Sequence, residues 1–480
     1  MSTIHKKMSA LSLGLGLGLV LSTLGCTQKP LLQAGANAMP VAAIEAAYTV
    51  IGEGGRATAR VLTQAVSCPG IALDEAPAVT MALRAAPAIV ATRSGGAQAD
   101  NKEAAFAVLT CEAELPPGIR RARVGGVDLP LPRAAIERIV IVADTGCRMK
   151  ASEHAFQDCN DAQRWPFARV MQSATATKPD LVIHIGDLHY RESPCPAGNT
   201  GCAGNPWGYG YDVWQADFFN PARPLLAAAP WVFVRGNHES CARAGQGWFR
   251  FLDTQPWSEA RSCNDPKRDA DADHSEPYAV PITQDTQLLV FDSSRTSGKP
   301  FTASDPAYAK YMAQMQAVER LTKQKANSLF MSHHPLLAFA PVKEPGQFKP
   351  GGNAGLQSVF ERLYPERLFP EGVNLAMHGH VHLFEAISFK SAHPATLVLG
   401  NAGSANEGRA PDAVPAGAQA YKGAVVEDYA ARSEFGFATL DRVDSGRSGD
   451  WLLTEYSSTG EPVIRCRISG GKSRCEPVRL

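Results

Sequence analysis

The chain has 480 residues, 45% hydrophobic and 20% charged, enough to bury a full core as one large domain with a smaller one beside it. Its 47 Lys and Arg match its 47 Asp and Glu, so no overall field draws it to nucleic acid or to an acidic membrane face. A partner has to be read from particular sites, and a small ligand is expected rather than a nucleic-acid scaffold.

Lys6 and Lys7 precede "LSLGLGLGLVLSTLGC", an apolar stretch too short and Gly-rich for a membrane span, which reads as an export signal over residues 1–25. Cys26 follows Leu24 and Gly25 as a lipid-acceptor cysteine of a bacterial lipoprotein would, although Thr23 stands where Leu is usual. Ordinary cleavage near Ala36 to Ala38 is the alternative. Residues 26–45 read as a tether. The expected location is the periplasm or the outer membrane, or a secreted state, with membrane contact only through a lipid at Cys26.

Setting Cys26 aside leaves ten cysteines: Cys68, Cys111, Cys147, Cys159, Cys195, Cys202, Cys241, Cys263, Cys466 and Cys475. An even number in an exported chain predicts disulfides, and pairing sequential neighbours would close five short or medium loops. Order alone leaves the connectivity open. Cys466 and Cys475 flank "RISGGKSR", whose Gly-Gly suits a hairpin that brings the two Cβ atoms together.

Residues 46–133 hold short β-rich runs separated by Gly and Pro, which predicts a small all-β domain. From 134 to 480 the texture changes. The runs "IVIVA", "LVIHI", "WVFVR", "LLVFD", "SLFMS", "NLAMH" and "TLVLG" alternate with stretches of helical spacing such as "YAKYMAQMQAVERLTKQ", predicting an α/β domain with strands buried on both faces. Ligands of such sheets gather at the carboxyl ends of strands. Asp144, "GDLHY" (186–190), "GNHE" (236–239), "SHHP" (332–335) and "HGHVH" (378–382) all fall there. Carboxylates, an Asn carbonyl and imidazoles in that order suit two adjacent di- or trivalent ions.

The pattern DxG, GDxxY, GNHE, HxP and GHxH, over roughly residues 139–404, resembles the calcineurin-like metallophosphoesterases and, within them, the purple acid phosphatase branch. The resemblance implies a four-layer α/β/β/α sandwich of two mixed sheets, preceded here by the small all-β domain. It implies one metal at Asp144, Tyr190 and His382, a second at Asn237, His333 and His380, and Asp187 bridging. The superfamily usually has a His where this chain has Gly146, and Tyr190 in GDxxY would replace it, Gly146 leaving room for the ring. Phenolate is a hard donor, so Fe(III) with a divalent Zn, Mn or Fe is expected.

His238 would hydrogen-bond the phosphoryl group or protonate the leaving alcohol, Glu239 would orient it, and His334 would line the substrate face. His189, His184 and His378 are expected to be structural or to sit behind the ligands. The loop after HxP carries Lys343 and Lys349 but none of the further His of plant and animal purple enzymes, so leaving-group recognition is expected to differ. The insert "CPAGNTGCAGNPWGYGYDVW" (195–214) reads equally as a rim of the site's mouth or as a disulfide-pinned surface loop. The expected function is hydrolysis of a small phosphate monoester by hydroxide generated between two ions. A phosphodiesterase or nucleotidase, or a non-catalytic binding lipoprotein, are the competing readings.

Overall fold

All seven apolar runs form strands, because each is short and covered on both faces, several with β-branched residues as well. The computed structural model describes residues 44–93, 102–406, 408–443 and 449–479. The export signal, Cys26 and the tether up to residue 43 lie outside the described residues, among which no helix is long and apolar enough to cross a membrane.

Two mixed sheets face each other. In the larger, Arg138–Val142, Leu181–Ile185 and Trp231–Val234 run parallel, and Gly436–Arg442 pairs antiparallel on the far side of Arg138–Val142. In the smaller, Thr286–Phe291, Asn327–Ser332, Val373–His378 and Ala395–Leu399 form the parallel core. Ile139, Ile141, Ile183, Val232, Leu288, Leu329 and Leu375 fill the space between the sheets. Phe167–Ala176 and Asn220–Ala228 cover one outer face, with Val140, Val142, Val182 and Trp231 beneath them. Pro306–Thr322 and Ala354–Leu363 cover the other. The result is the expected four-layer sandwich.

The β-rich segment 46–133 belongs to the same compact unit, Ala38–Leu480. Ile44–Ile51, Ala57–Thr63, Leu109–Leu115 and Ala82–Ala85 extend the larger sheet beyond Trp231–Val234, with Val50 opposite Trp231. A four-stranded sheet that includes Gly70–Leu73 and Ala122–Val124 completes the region. Two buried arginines tie this segment to the helix Gly245–Phe251. Arg60 donates to Phe251 O at 2.6 Å, Arg84 donates to Phe249 O at 2.7 Å, and both pair with Glu112. They therefore place positive charge at the carboxyl end of that helix, the favourable end for a cation.

Five disulfides join sequential neighbours: Cys68–Cys111, Cys147–Cys159, Cys195–Cys202, Cys241–Cys263 and Cys466–Cys475. The last bridges directly opposed residues of the hairpin strands Pro462–Ser469 and Lys472–Pro477.

Candidate metal centre

The strand ends bring their polar residues to one edge of the sandwich. Asp144, Asp187 and His380 all have φ between 55° and 69°, a left-handed conformation that is rare for residues with a side chain and recurs where a backbone is held for function. The Asp144 and Asp187 loops are locked together, Asp144 N donating to Gly186 O at 3.1 Å and Thr145 N to Asp187 O at 3.0 Å.

Three oxygen and nitrogen atoms meet around the Tyr190 hydroxyl. It lies 2.7 Å from Asp144 Oδ1, 3.1 Å from Asp187 Oδ2 and 2.9 Å from His382 Nε2. Burial, and then the charges of Asp144 and Asp187, push its ionisation well above the usual phenol range, so a nearby cation is what would make this group a phenolate. Alongside, the ligand atoms of Asp187, His333 and His380 all lie within 4.8 Å of one another. His333 Nδ1 donates to Ile185 O at 2.8 Å and His382 Nδ1 donates to Ala405 O at 2.7 Å. Each backbone bond leaves Nε2 as the free lone pair, the usual way a ligating imidazole is oriented.

Two buried atoms test the fit of metal ions. Asn237 Oδ1 and His333 Nε2 have no hydrogen-bond partner, although His333 Nε2 is 3.0 Å from Asp187 Oδ2. Orphaned buried acceptors are costly unless something else satisfies them. Asp144, Asp187, Tyr190, His333, His380 and His382 gather here, Asn237 follows Gly236, which packs against Asp187, and a set of carboxylates, a phenol, an Asn carbonyl and imidazoles is chemically suited to two cations. The other cluster of metal-capable side chains, Cys241, Cys263 and Asp273, has its two sulfurs joined in a disulfide.

Three expectations change. Gly146 does not make room for the Tyr190 ring: a Cβ there would come within 2.7 Å of Leu188 O and 2.9 Å of Tyr190 N, so the glycine lets the two loops touch along their backbones. Glu239 does not orient His238. Its buried carboxylate accepts from Asp187 N at 2.9 Å, Leu188 N at 2.8 Å and Gly236 N at 3.1 Å, and it thereby fastens the GDxxY loop to the GNHE loop. His334 offers little ring surface to substrate, with 5% of the residue exposed. Its Nδ1 meets Ser293 Oγ at 3.1 Å and its ring backs His380 at 4.2 Å between centroids.

His238 is oriented by other groups. Its Nδ1 donates to His189 O at 2.8 Å and lies 3.0 Å from Glu192 Oε1, while Nε2 stands 3.7 Å from Asp187 Oδ2. His189 turns its own ring away, between Tyr209 and Trp214, His184 bonds Thr145 at 3.0 Å, and His378 bonds Ser332 at 3.0 Å; none of these three reaches the centre.

Asp217 was not anticipated. It sits in a π-helical turn, Gln215–Phe219, a distortion that often marks function. Its Oδ1 accepts from Cys147 N at 2.9 Å, its Oδ2 from Tyr190 N at 2.8 Å and Arg191 N at 3.1 Å, and Arg191 pairs with it. One carboxylate thus clamps the Asp144 loop to the Tyr190 loop. A charged residue inside the apolar run "VWQADFF" was the available signal. Three disulfides also close the ligand loops: Cys147 follows Asp144 by three positions, Cys195 follows Tyr190 by five, and Cys241 follows Asn237 by four.

Residues 137–384 match the family described as calcineurin-like phosphoesterase. The fold is similar to that of a purple acid phosphatase from yellow lupin (Lupinus luteus) seeds, at 16% identity and TM-score 0.52, over 89% of this chain and 73% of that one. It is similar also to PhoD, at 11% identity and TM-score 0.52, over 94% of each chain. No curated protein sequence matches.

Proposed function

The chain belongs to the calcineurin-like phosphoesterase family, and on that premise we propose that it is an exported phosphomonoesterase of the purple acid phosphatase type, acting on a small phosphorylated substrate. The observation that carries this reading is the meeting of Asp144, Asp187 and His382 on the Tyr190 hydroxyl, with three contacts of 3.1 Å or less. A phenol among carboxylates and imidazole would favour Fe(III) at that position, and Asn237, His333 and His380 would hold a divalent Zn, Mn or Fe beside it, with Asp187 available to both. Bound there, two ions supply an activated water and neutralise phosphoryl charge.

The chain's own residues do the rest. His238, with its ring fixed through Nδ1 by His189 O and Glu192, turns Nε2 toward Asp187, and in its protonated form would hold a proton for the leaving oxygen there. A general acid so placed contributes about 100-fold or more. Glu239 and Asp217 keep the ligand loops at fixed separation, and His334 supports His380. The five disulfides favour an oxidising compartment, which agrees with export and with the lipoprotein signal read at Cys26.

Metal analysis with a visible spectrum, followed by a screen of phosphate mono- and diesters, tests the proposal. A phenolate-to-Fe(III) band with preferential monoester turnover is expected. Two zinc or manganese ions without the band would reject the purple assignment, and faster turnover of diesters would reject the substrate class.

A further inference from the structure

Arg243 lies on the turn after the Asn237–Glu239 segment, its amide donating to Ser240 O at 2.9 Å. The guanidinium is gripped by Glu192, with Nε 3.0 Å from Oε2 and Nη2 paired to Oε1. Glu192 is itself 2% exposed and is held by Lys150 and by the Tyr209 hydroxyl at 2.8 Å. This bidentate pair uses one edge of the arginine fork. Nη2 also lies 2.7 and 2.8 Å from the two ring nitrogens of His238, the Tyr209 hydroxyl neighbours the guanidinium, and none of the hydrogen bonds Arg243 makes to described residues runs from Nη1. The guanidinium therefore sits against the imidazole that faces Asp187, with 17% of its side chain exposed. Lys150 and Arg243 both pair with Glu192 at this corner.

We propose that Arg243, clamped by Glu192, reads the second negative charge of a phosphate monoester and so sets monoester over diester; this rests on the phosphomonoesterase reading above. A monoester dianion with two oxygens engaged at the metal centre has a third, charged oxygen to offer toward His238. A diester offers an ester oxygen or carbon in that place, which accepts poorly and leaves the guanidinium unsatisfied. Arginine suits the task better than lysine, because its fork can hold Glu192 with one edge and a phosphoryl oxygen with the other. The clamp fixes the donors before substrate arrives, so little ordering is left to do on binding.

The test uses Arg243→Met, which keeps the apolar stem, and Arg243→Lys, which keeps Glu192 paired and secures the fold. The readouts are kcat/KM for p-nitrophenyl phosphate and for bis(p-nitrophenyl) phosphate, and equilibrium binding of inorganic phosphate by calorimetry, all at matched metal content. Loss of a charge-assisted hydrogen bond predicts a fall of roughly 30-fold for the monoester in Arg243→Met. Diester turnover should change less than about 3-fold, phosphate affinity should fall in step with the monoester, and Arg243→Lys should lie between. An equal fall for both esters, or unchanged phosphate affinity, overturns the proposal and makes Arg243 only the counterion of Glu192. Wild-type protein inactive on both esters would instead reject the enzymatic reading, and the phosphate titration then decides the role of Arg243 by itself.

Discussion

Asp217→Asn changes one oxygen to an amide and almost no volume, so its cost comes from hydrogen bonding alone. The carboxylate receives three backbone N–H groups and the Arg191 guanidinium, and it is fully buried. If the amide keeps its oxygen toward Tyr190 N and Arg191 N, its NH2 must face Cys147 N and Arg191, donor against donor. One amide bond of about 1–3 kcal/mol is lost, and a buried guanidinium loses its charged partner, at about 3–5 kcal/mol. The sum is on the order of 5 kcal/mol, a large part of the roughly 5–15 kcal/mol that holds a folded domain. Urea unfolding with disulfides intact measures it, and metal content at equilibrium should fall as well because the Asp144 and Tyr190 loops lose their common clamp. A stability change below about 1 kcal/mol with full metal occupancy would show that the clamp is not needed and would refute the argument.

Tyr190→Phe should fold normally, lose the Fe(III) charge-transfer colour and bind the first metal more weakly, whereas His189→Ala should keep both; unchanged iron and spectrum in Tyr190→Phe would remove the phenol from the ligand set. His238→Ala should keep its metal and lose turnover most for poor leaving groups, by about 100-fold, and an equal loss for good and poor leaving groups would argue against proton donation. Burial raises both Glu385 and Glu455 from 4.5 to about 8, so the folded protein keeps two protons that the unfolded chain releases. Their contribution, on the order of 4 kcal/mol each, is fully present below about pH 4.5 and is lost as pH rises through about 8. Metal-free protein should therefore be more stable to urea at pH 5 than at pH 8.5, with Glu455→Gln flattening the difference; stability that climbs over this range would contradict it.

The residues of the candidate metal centre were legible in the sequence because each closely follows an apolar run, where chain position alone puts it near the sheet's edge. What supports them was not. Asp217 holds Cys147, 70 residues earlier, and Arg243 meets Glu192 across 51; no local spacing encodes such pairs. Glu239 was misread for a related reason, since adjacency to His238 suggested a side-chain contact, while the three-residue turn Asn237–Glu239 aims the carboxylate back at the amides of the other loop. The β character of residues 46–133 followed from its Gly- and Pro-broken runs. That Arg60 and Arg84 would cap a helix more than 160 residues away could not be read, because each looks locally like any strand-surface arginine.

The crosslinks beside Asp144, Tyr190 and Asn237 bear on the order of events in the protein's biogenesis. In thiol-reducing surroundings the strands can assemble from apolar burial, yet three of the ligand loops lack the covalent closure that limits their excursions. If tight binding needs that closure, oxidation would come before loading, and the ions on offer would be those of the compartment where the sulfurs join. Which metals the mature protein carries would thus be decided by where it finishes folding as much as by the preferences of its donor atoms.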